Sequence, residues 1–205
     1  FGIDQDAKGY LWMATGSGLF KFDGAQYTAF HTRAGDPNSL SQEGCESVLA
    51  DDQGFIWVGH HHLSAGLDRL DPATGIFTHY RNDPKDPTSL AGDSTDVLYK
   101  AKDGTVWIGT TKGLDRYDRK TNSFIHYAND PNDPGSLSNN QVRIIYEDKS
   151  GTIWVGTGDP FPGDNPKKMG GLNKLDLKTG KFTRYLHKDG DPNSLTDDRI
   201  RAIYE

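Results

Sequence analysis

The 205 residues are 34% hydrophobic, with 24 Gly, 10 Pro and only two Met, a balance that suits a β-rich protein with many turns and disfavours a helical one. The formal charge is −6 with Lys and Arg scattered, which argues against a nucleic-acid or anionic-membrane surface, and no apolar run approaches the roughly 18 residues of a membrane span. One cysteine, Cys45, excludes an internal disulfide and any Cys-based zinc site.

Taken in chain order, the elements repeat. After the strand-like residues 1–5 come "GYLWMA" from Gly9, the alternating "LFKFD", then "AQYTAF" and the loop "GDPNSL". The second unit runs "SVLA", "GFIWVG", "LDRLD", "IFTHY" and "KDPTSL", and the third runs "DVLY", "GTVWIG", "LDRYD", "SFIHY" and "NDPGSL". The fourth gives "RIIY", "GTIWVG", "LNKLD", "KFTRY" and "GDPNSL", after which "RAIY" opens the pattern once more. All four tryptophans, Trp12, Trp57, Trp107 and Trp154, stand three residues after a glycine. Four short alternating strands per unit, here named a to d, repeated every 45 to 50 residues, predict an all-β chain of four four-stranded antiparallel β-propeller blades. Each Trp is then a packing residue between blades. Blade boundaries are expected near 1–35, 36–85, 86–132 and 133–190, with 191–205 starting a further blade.

The third unit, "DGTVWIGTTKGLDRYDRKTNSFIHY" from Asp103, resembles the two-component regulator propeller repeat, and the likeness extends over essentially the whole chain. Ala14 stands for the Gly after Trp-x in the first unit, and His60 for the following Thr in the second. That resemblance implies the periplasmic or extracellular sensor part of a bacterial hybrid histidine kinase anchored in the inner membrane. It also implies a seven-bladed parent ring of which this chain is an arc, and a carbohydrate fragment as ligand. Residues 1–5 and 201–205 occupy the same strand-a position, which also favours an arc over a closed four-blade ring. A chain that opens on Phe1 and stops at Glu205 inside an apolar stretch is read as an excerpt.

Antiparallel order places the short a–b and c–d turns on one face, and the b–c and d–a loops on the other. The b–c loops lengthen in two units, to "HHHLSA" and "TGDPFPGDNPKKMG", and elaborated loops on a rigid scaffold are where binding residues gather. The expected ligand residues are His60, His61 and His62 in the first loop and Phe161, Lys167 and Lys168 in the second. Glu46, Asp96, Arg143 and Arg201 join them at the mouth of strand a, with Phe1 at the matching place in the first unit. Those charges fit a wet channel with mutual ion pairs equally well. No catalytic residue, metal or cofactor is assigned. The three histidines lack a carboxylate at a diagnostic spacing, "GSGLF" lacks a dinucleotide loop's third glycine, and "DKSGTIW" lacks the flanking Ser and Thr of a sialidase Asp box. The Asp-Pro-x-Ser-Leu loops read as turns before they read as calcium sites. Two other readings compete: a propeller enzyme resembling streptogramin B lyase or a glycan hydrolase, with Glu46, His60 or His61 as acid/base, and a protein-interaction scaffold on the same face. The partner expected is an oligosaccharide or other small ligand, with no nucleic acid and no membrane contact in this segment, and dimerisation of the parent is left open.

Overall fold

The computed structural model describes residues 2–60, 65–159 and 169–205. The described chain forms four antiparallel four-stranded sheets. The first blade holds β1 (Ile3–Gln5), β2 (Leu11–Thr15), β3 (Gly18–Phe22) and β4 (Tyr27–Phe30). The second holds β5 (Ser47–Ala50), β6 (Ile56–Gly59), β7 (Leu67–Asp71) and β8 (Ile76–Tyr80). The third holds β9 (Thr95–Lys100), β10 (Val106–Thr110), β11 (Gly113–Asp118) and β12 (Ser123–Tyr127). The fourth holds β13 (Val142–Glu147), β14 (Ile153–Thr157), β15 (Gly171–Asp176) and β16 (Lys181–Tyr185). Within each blade the strands pair in chain order.

Strand a is innermost, for β1 packs on β5, β5 on β9 and β9 on β13. Comparable packing from β13 back to β1 is not found among the described residues, so the blades form an arc. The period-2 side-chain pattern of each strand sends one row to the preceding blade and one to the following blade. In β6, Trp57 joins Leu49, Leu67 and Tyr80 against Val106, Ile108, Tyr117 and Phe124 of the third blade. Its neighbours Ile56 and Val58 face back into the seam with Trp12 and Leu19 of the first blade. The core is therefore three inter-blade seams, the third built from Trp107 and Leu114 against Ile153, Val155, Leu175 and Phe182.

Trp12, Trp57 and Trp107 are fully or nearly fully buried, whereas Trp154, on the side that no described blade covers, is half-buried. At the other end of the arc Ile3 and Tyr27 are 65% and 66% exposed, on the side that no described blade covers. Residues 201–205 reach the place of a next inner strand without forming one. Ile200 lies over Gly156 and Lys149 donates its backbone N–H to Glu205, but a strand needs a laddered neighbour and residues 1–205 supply none there.

The seam also explains the glycine after Trp-x. A Cβ on Gly109 would stand 2.5 Å from Val97 of its own inner strand and 2.7 Å from Val142 of the next. In the first blade the pair is inverted. Ala14 takes the outer place, and its partner on the inner strand is Gly2, where a Cβ would meet the backbone N of Val48 at 3.0 Å. The departure at Ala14 is thus compensated across the ladder.

Candidate functional site

The face carrying the d–a loops is built from four copies of one anchor. In each, the Asp of Asp-Pro-x-Ser-Leu accepts the backbone N–H two residues on, as Asp36 does from Asn38, Asp86 from Thr88, Asp133 from Gly135 and Asp191 from Asn193. The Ser hydroxyl donates back to the carbonyl of that Asp, at 2.8–2.9 Å in all four loops. Leu40, Leu90 and Leu137 then plug fully into the seams, and Leu195 is half-buried. The carboxylates of these loops are thereby occupied with turn geometry.

Beneath the loops lies a buried polar layer. The residue after each plugging Leu donates its N–H into strand c: Ser41 to Asp68 at 2.8 Å, Ala91 to Asp115 at 2.8 Å and Ser138 to Asn173 at 2.9 Å. Asp68, Asp115 and Asn173 are completely buried. Strand d supplies His79 and His126, whose Nδ1 atoms lie 2.6 Å from Asp68 and Asp115. His79 Nε2 also donates to the Pro37 carbonyl at 2.8 Å, so both its nitrogens face acceptors and the ring is held as a cation. Burial works against the charge on Asp68, but hydrogen bonds from His60 and His79 outweigh it and hold the carboxyl at about 2. The same contact raises His79, against its partial burial, and Asp115 does likewise for His126. In the fourth blade a permanent cation takes this role, with Arg184 donating to the Ser136 and Asp133 carbonyls.

His60 belongs to this layer and not to the surface. It is fully buried, with Nδ1 3.0 Å from the Gly44 carbonyl and Nε2 3.1 Å from Asp68. It occupies the place where Thr110 and Thr157 tie the b–c connection to the carbonyls of Gly113 and Gly171. A ring in that place reaches deeper into strand c, to the Asp68 side chain.

At the mouth of the inner strands the structure brings together two of the expected residues. Arg143 of β13 donates to Asp96 of β9 at 2.6 Å, across the boundary between blades, with the carboxylate nearly buried and the guanidinium 30% exposed. Glu46 is half-buried and its backbone N–H donates to the Gly59 carbonyl, while Arg201 is exposed in the terminal segment. Phe1, His61, His62, Phe161, Lys167 and Lys168 lie outside the described residues. Sequence reasoning missed Asp68, Asp115, Asn173, His79 and His126. Their signal was present in "LDRLD", "LDRYD" and "LNKLD", each of which places a polar residue on a row otherwise directed into the core.

Residues 136–159, spanning the end of the loop, β13 and β14, match the family model described as two component regulator propeller. The repeat resemblance read from the sequence is thereby borne out. No curated protein matches the chain. Among solved structures, the extracellular domain of BT3049 from B. thetaiotaomicron, described as a hybrid two component system, is 23% identical. It aligns over 100% of this chain and 37% of its own with a TM-score of 0.61. The extracellular domain of BT4673 from the same organism is 24% identical over 90% of this chain and 24% of its own, with a TM-score of 0.65. Virginiamycin B lyase from Staphylococcus aureus is 13% identical over 93% of this chain and 56% of its own, with a TM-score of 0.61. At these identities the likeness shows the propeller fold, and the chain spans well under half the length of the two extracellular domains.

Proposed function

We propose that this chain is part of the ligand-sensing propeller of a two-component signalling protein, on the outer side of a bacterial inner membrane, and that it recognises a carbohydrate fragment on the face of its d–a loops. The observation that carries the reading is the rigid presentation of that face. Three loops of one design are each fixed at three points, by an Asp turn, a plugged Leu and a bond to strand c, a fourth repeats the Asp turn, and a charged pair lies at the inner mouth. Rigid loops around a polar centre suit a neutral, hydroxyl-rich ligand, because little ordering entropy is lost on binding. The match to the two component regulator propeller model and the likeness to extracellular domains of two component systems support the same reading.

Glycan-array screening followed by calorimetry tests it. Saturable binding of an oligosaccharide is expected, weakened at least tenfold by Asp96→Asn or Arg143→Met in protein that circular dichroism shows to be still folded at the assay temperature. A protein that binds no glycan on the array but captures a specific polypeptide would replace this reading with the scaffold alternative. The enzyme reading draws support from the likeness to virginiamycin B lyase, but of its acid/base candidates His60 is engaged on both ring nitrogens inside the fold.

A further inference from the structure

The face opposite the loops, formed by the a–b and c–d turns, carries a regularity broken in one place. In strand c, the residue paired across from each Trp is a cation: Lys21 opposite Trp12, Arg69 opposite Trp57, Arg116 opposite Trp107 and Lys174 opposite Trp154. In the first two blades the residue after the repeat glycine is aromatic, and it lies beneath that cation. The Lys21 ammonium stands 5.0 Å from the Tyr10 ring centre, and the Arg69 guanidinium stands 4.7 Å from that of Phe55. Arg69 is also claimed by the next blade, donating to the Tyr117 hydroxyl at 2.6 Å.

The third blade has lost both partners. Thr105 stands where Tyr10 and Phe55 stand, and Leu175 of the fourth blade stands where Tyr117 does, offering no hydroxyl. The Arg116 guanidinium makes no hydrogen bond or ion pair with any described residue, and the space below it is a pocket of about 480 Å³ walled by Asp103, Gly104, Thr105, Asp118, Arg119 and Lys120. The fourth blade has the same vacated slot at Thr152, but its Lys174 remains over Trp154 at 5.8 Å. The half-buried guanidinium without a partner is therefore particular to the third blade.

We propose that this pocket is a binding site for an aromatic ring, supplied by a ligand or a partner, which stacks under Arg116 as Phe55 does under Arg69. The occupant's chemistry is read from the neighbouring blades, which fill the equivalent space with a phenyl or phenol group of their own. The flank adds Arg119 and Lys120 beside Asp103 and Asp118, a mixed-charge rim that favours a ring carrying a polar substituent.

The test uses the full chain and two probes, p-cresol and N-acetyl-tyrosine amide, followed through the backbone amide signals of residues 103–105 and 116–120. Saturable shifts confined to those residues are expected, weakened about two- to fivefold by Arg116→Ala, the worth of an exposed cation–π contact. Thr105→Tyr should supply the ring internally. It is expected to abolish the probe shifts and raise the melting temperature by roughly 1–3 °C, and that gain should vanish when Arg116→Ala is added. Tighter binding of the amide than of p-cresol points to a polypeptide source, and equal binding to a free aromatic compound. No saturable shift with either probe, equal binding of 4-methylcyclohexanol, or a Thr105→Tyr protein less stable than the parent would each overturn the proposal.

Discussion

Removing the carboxylate at the start of an a–b turn should cost stability in proportion to the burial of the tryptophan it serves. In the first, second and fourth units this Asp accepts the backbone N–H four residues on and, through its other oxygen, the indole N–H. The indole distances are Trp12 to Asp6 at 2.8 Å, Trp57 to Asp51 at 3.0 Å and Trp154 to Asp148 at 2.8 Å. Trp57 is fully buried, so Asp51→Ala leaves an indole donor with neither acceptor nor water, a loss of about 1–3 kcal/mol. The turn amides lose less, since they lie near solvent. For a chain of this length that loss lowers the melting temperature by roughly 3–10 °C. Trp154 is half-buried, so water can replace its carboxylate, and Asp148→Ala should lower the melting temperature clearly less. The third unit provides the converse. It carries Ala101 at this place, and Thr105 donates instead to Asp103 at 2.9 Å, so Ala101→Asp should stabilise by about 0.5–1.5 kcal/mol by giving Trp107 an acceptor. Urea unfolding followed by tryptophan fluorescence checks all three. Equal losses for Asp51→Ala and Asp148→Ala, or a destabilised Ala101→Asp protein, would refute the link between indole burial and the carboxylate's contribution.

Three further outcomes follow from the seams and the polar layer. Gly109→Ala should destabilise by about 1–3 kcal/mol in urea titrations, because the added methyl meets Val97 and Val142 in two different blades and neither strand can shift alone. Leu90→Ala should lose about 2–5 kcal/mol and raise hydrogen exchange across residues 83–94, since that side chain alone plugs the loop into the seam. Stability should also fall as pH rises from about 6 towards 9. His79 and His126 have folded pKa values raised by their carboxylates, so their contribution is complete below the ordinary histidine value and is lost as pH climbs through the raised one. Asp68 acts at the other end, its contribution being present above the ordinary carboxylate value and lost as pH falls towards about 2. Thermal melts across pH should show the alkaline slope, and it should flatten in a His79→Gln, His126→Gln protein.

The architecture was legible because the blade announces itself through spacing that only a repeated packing unit requires. Trp at a fixed distance from Gly, and two apolar rows per strand, are sufficient to name the seams. The buried layer was not legible for a different reason. Asp68 and Asp115 sit in strands whose alternation looks like ordinary solvent-facing polarity, and only the tertiary placement of His79, His126 and the Leu-anchored loops shows that those carboxylates point inward. His60 shows the same limit at one residue. Three successive histidines suggest a surface loop, yet the first directly follows β6 and inherits the buried Thr position of its repeat. The Gly2 and Ala14 inversion was hidden because compensation across a ladder involves residues whose pairing a linear reading does not supply.

The distribution of these devices separates stability from recognition. Every seam residue serves two blades, so a change at Trp57 or Gly109 propagates around the arc. Each loop, by contrast, is held chiefly by one blade: the residues after Leu40 and Leu90 bond to Asp68 and Asp115, and the loop backbone extends the outer edge where Phe77 donates to Asn38 and Phe124 to Thr88. Edge pairing of this kind also shields the outer strands from unwanted association. Loop residues facing solvent can therefore vary without disturbing the packing between blades, and the two faces can be altered independently. A substitution at Asp96 and one at Thr105 lie on opposite faces of the same seam and share no side-chain partner, so their effects on ligand binding should add when combined. Strong non-additivity between them would mean that the arc transmits strain along its sheets, and the loops and turns would then have to be treated as a single site.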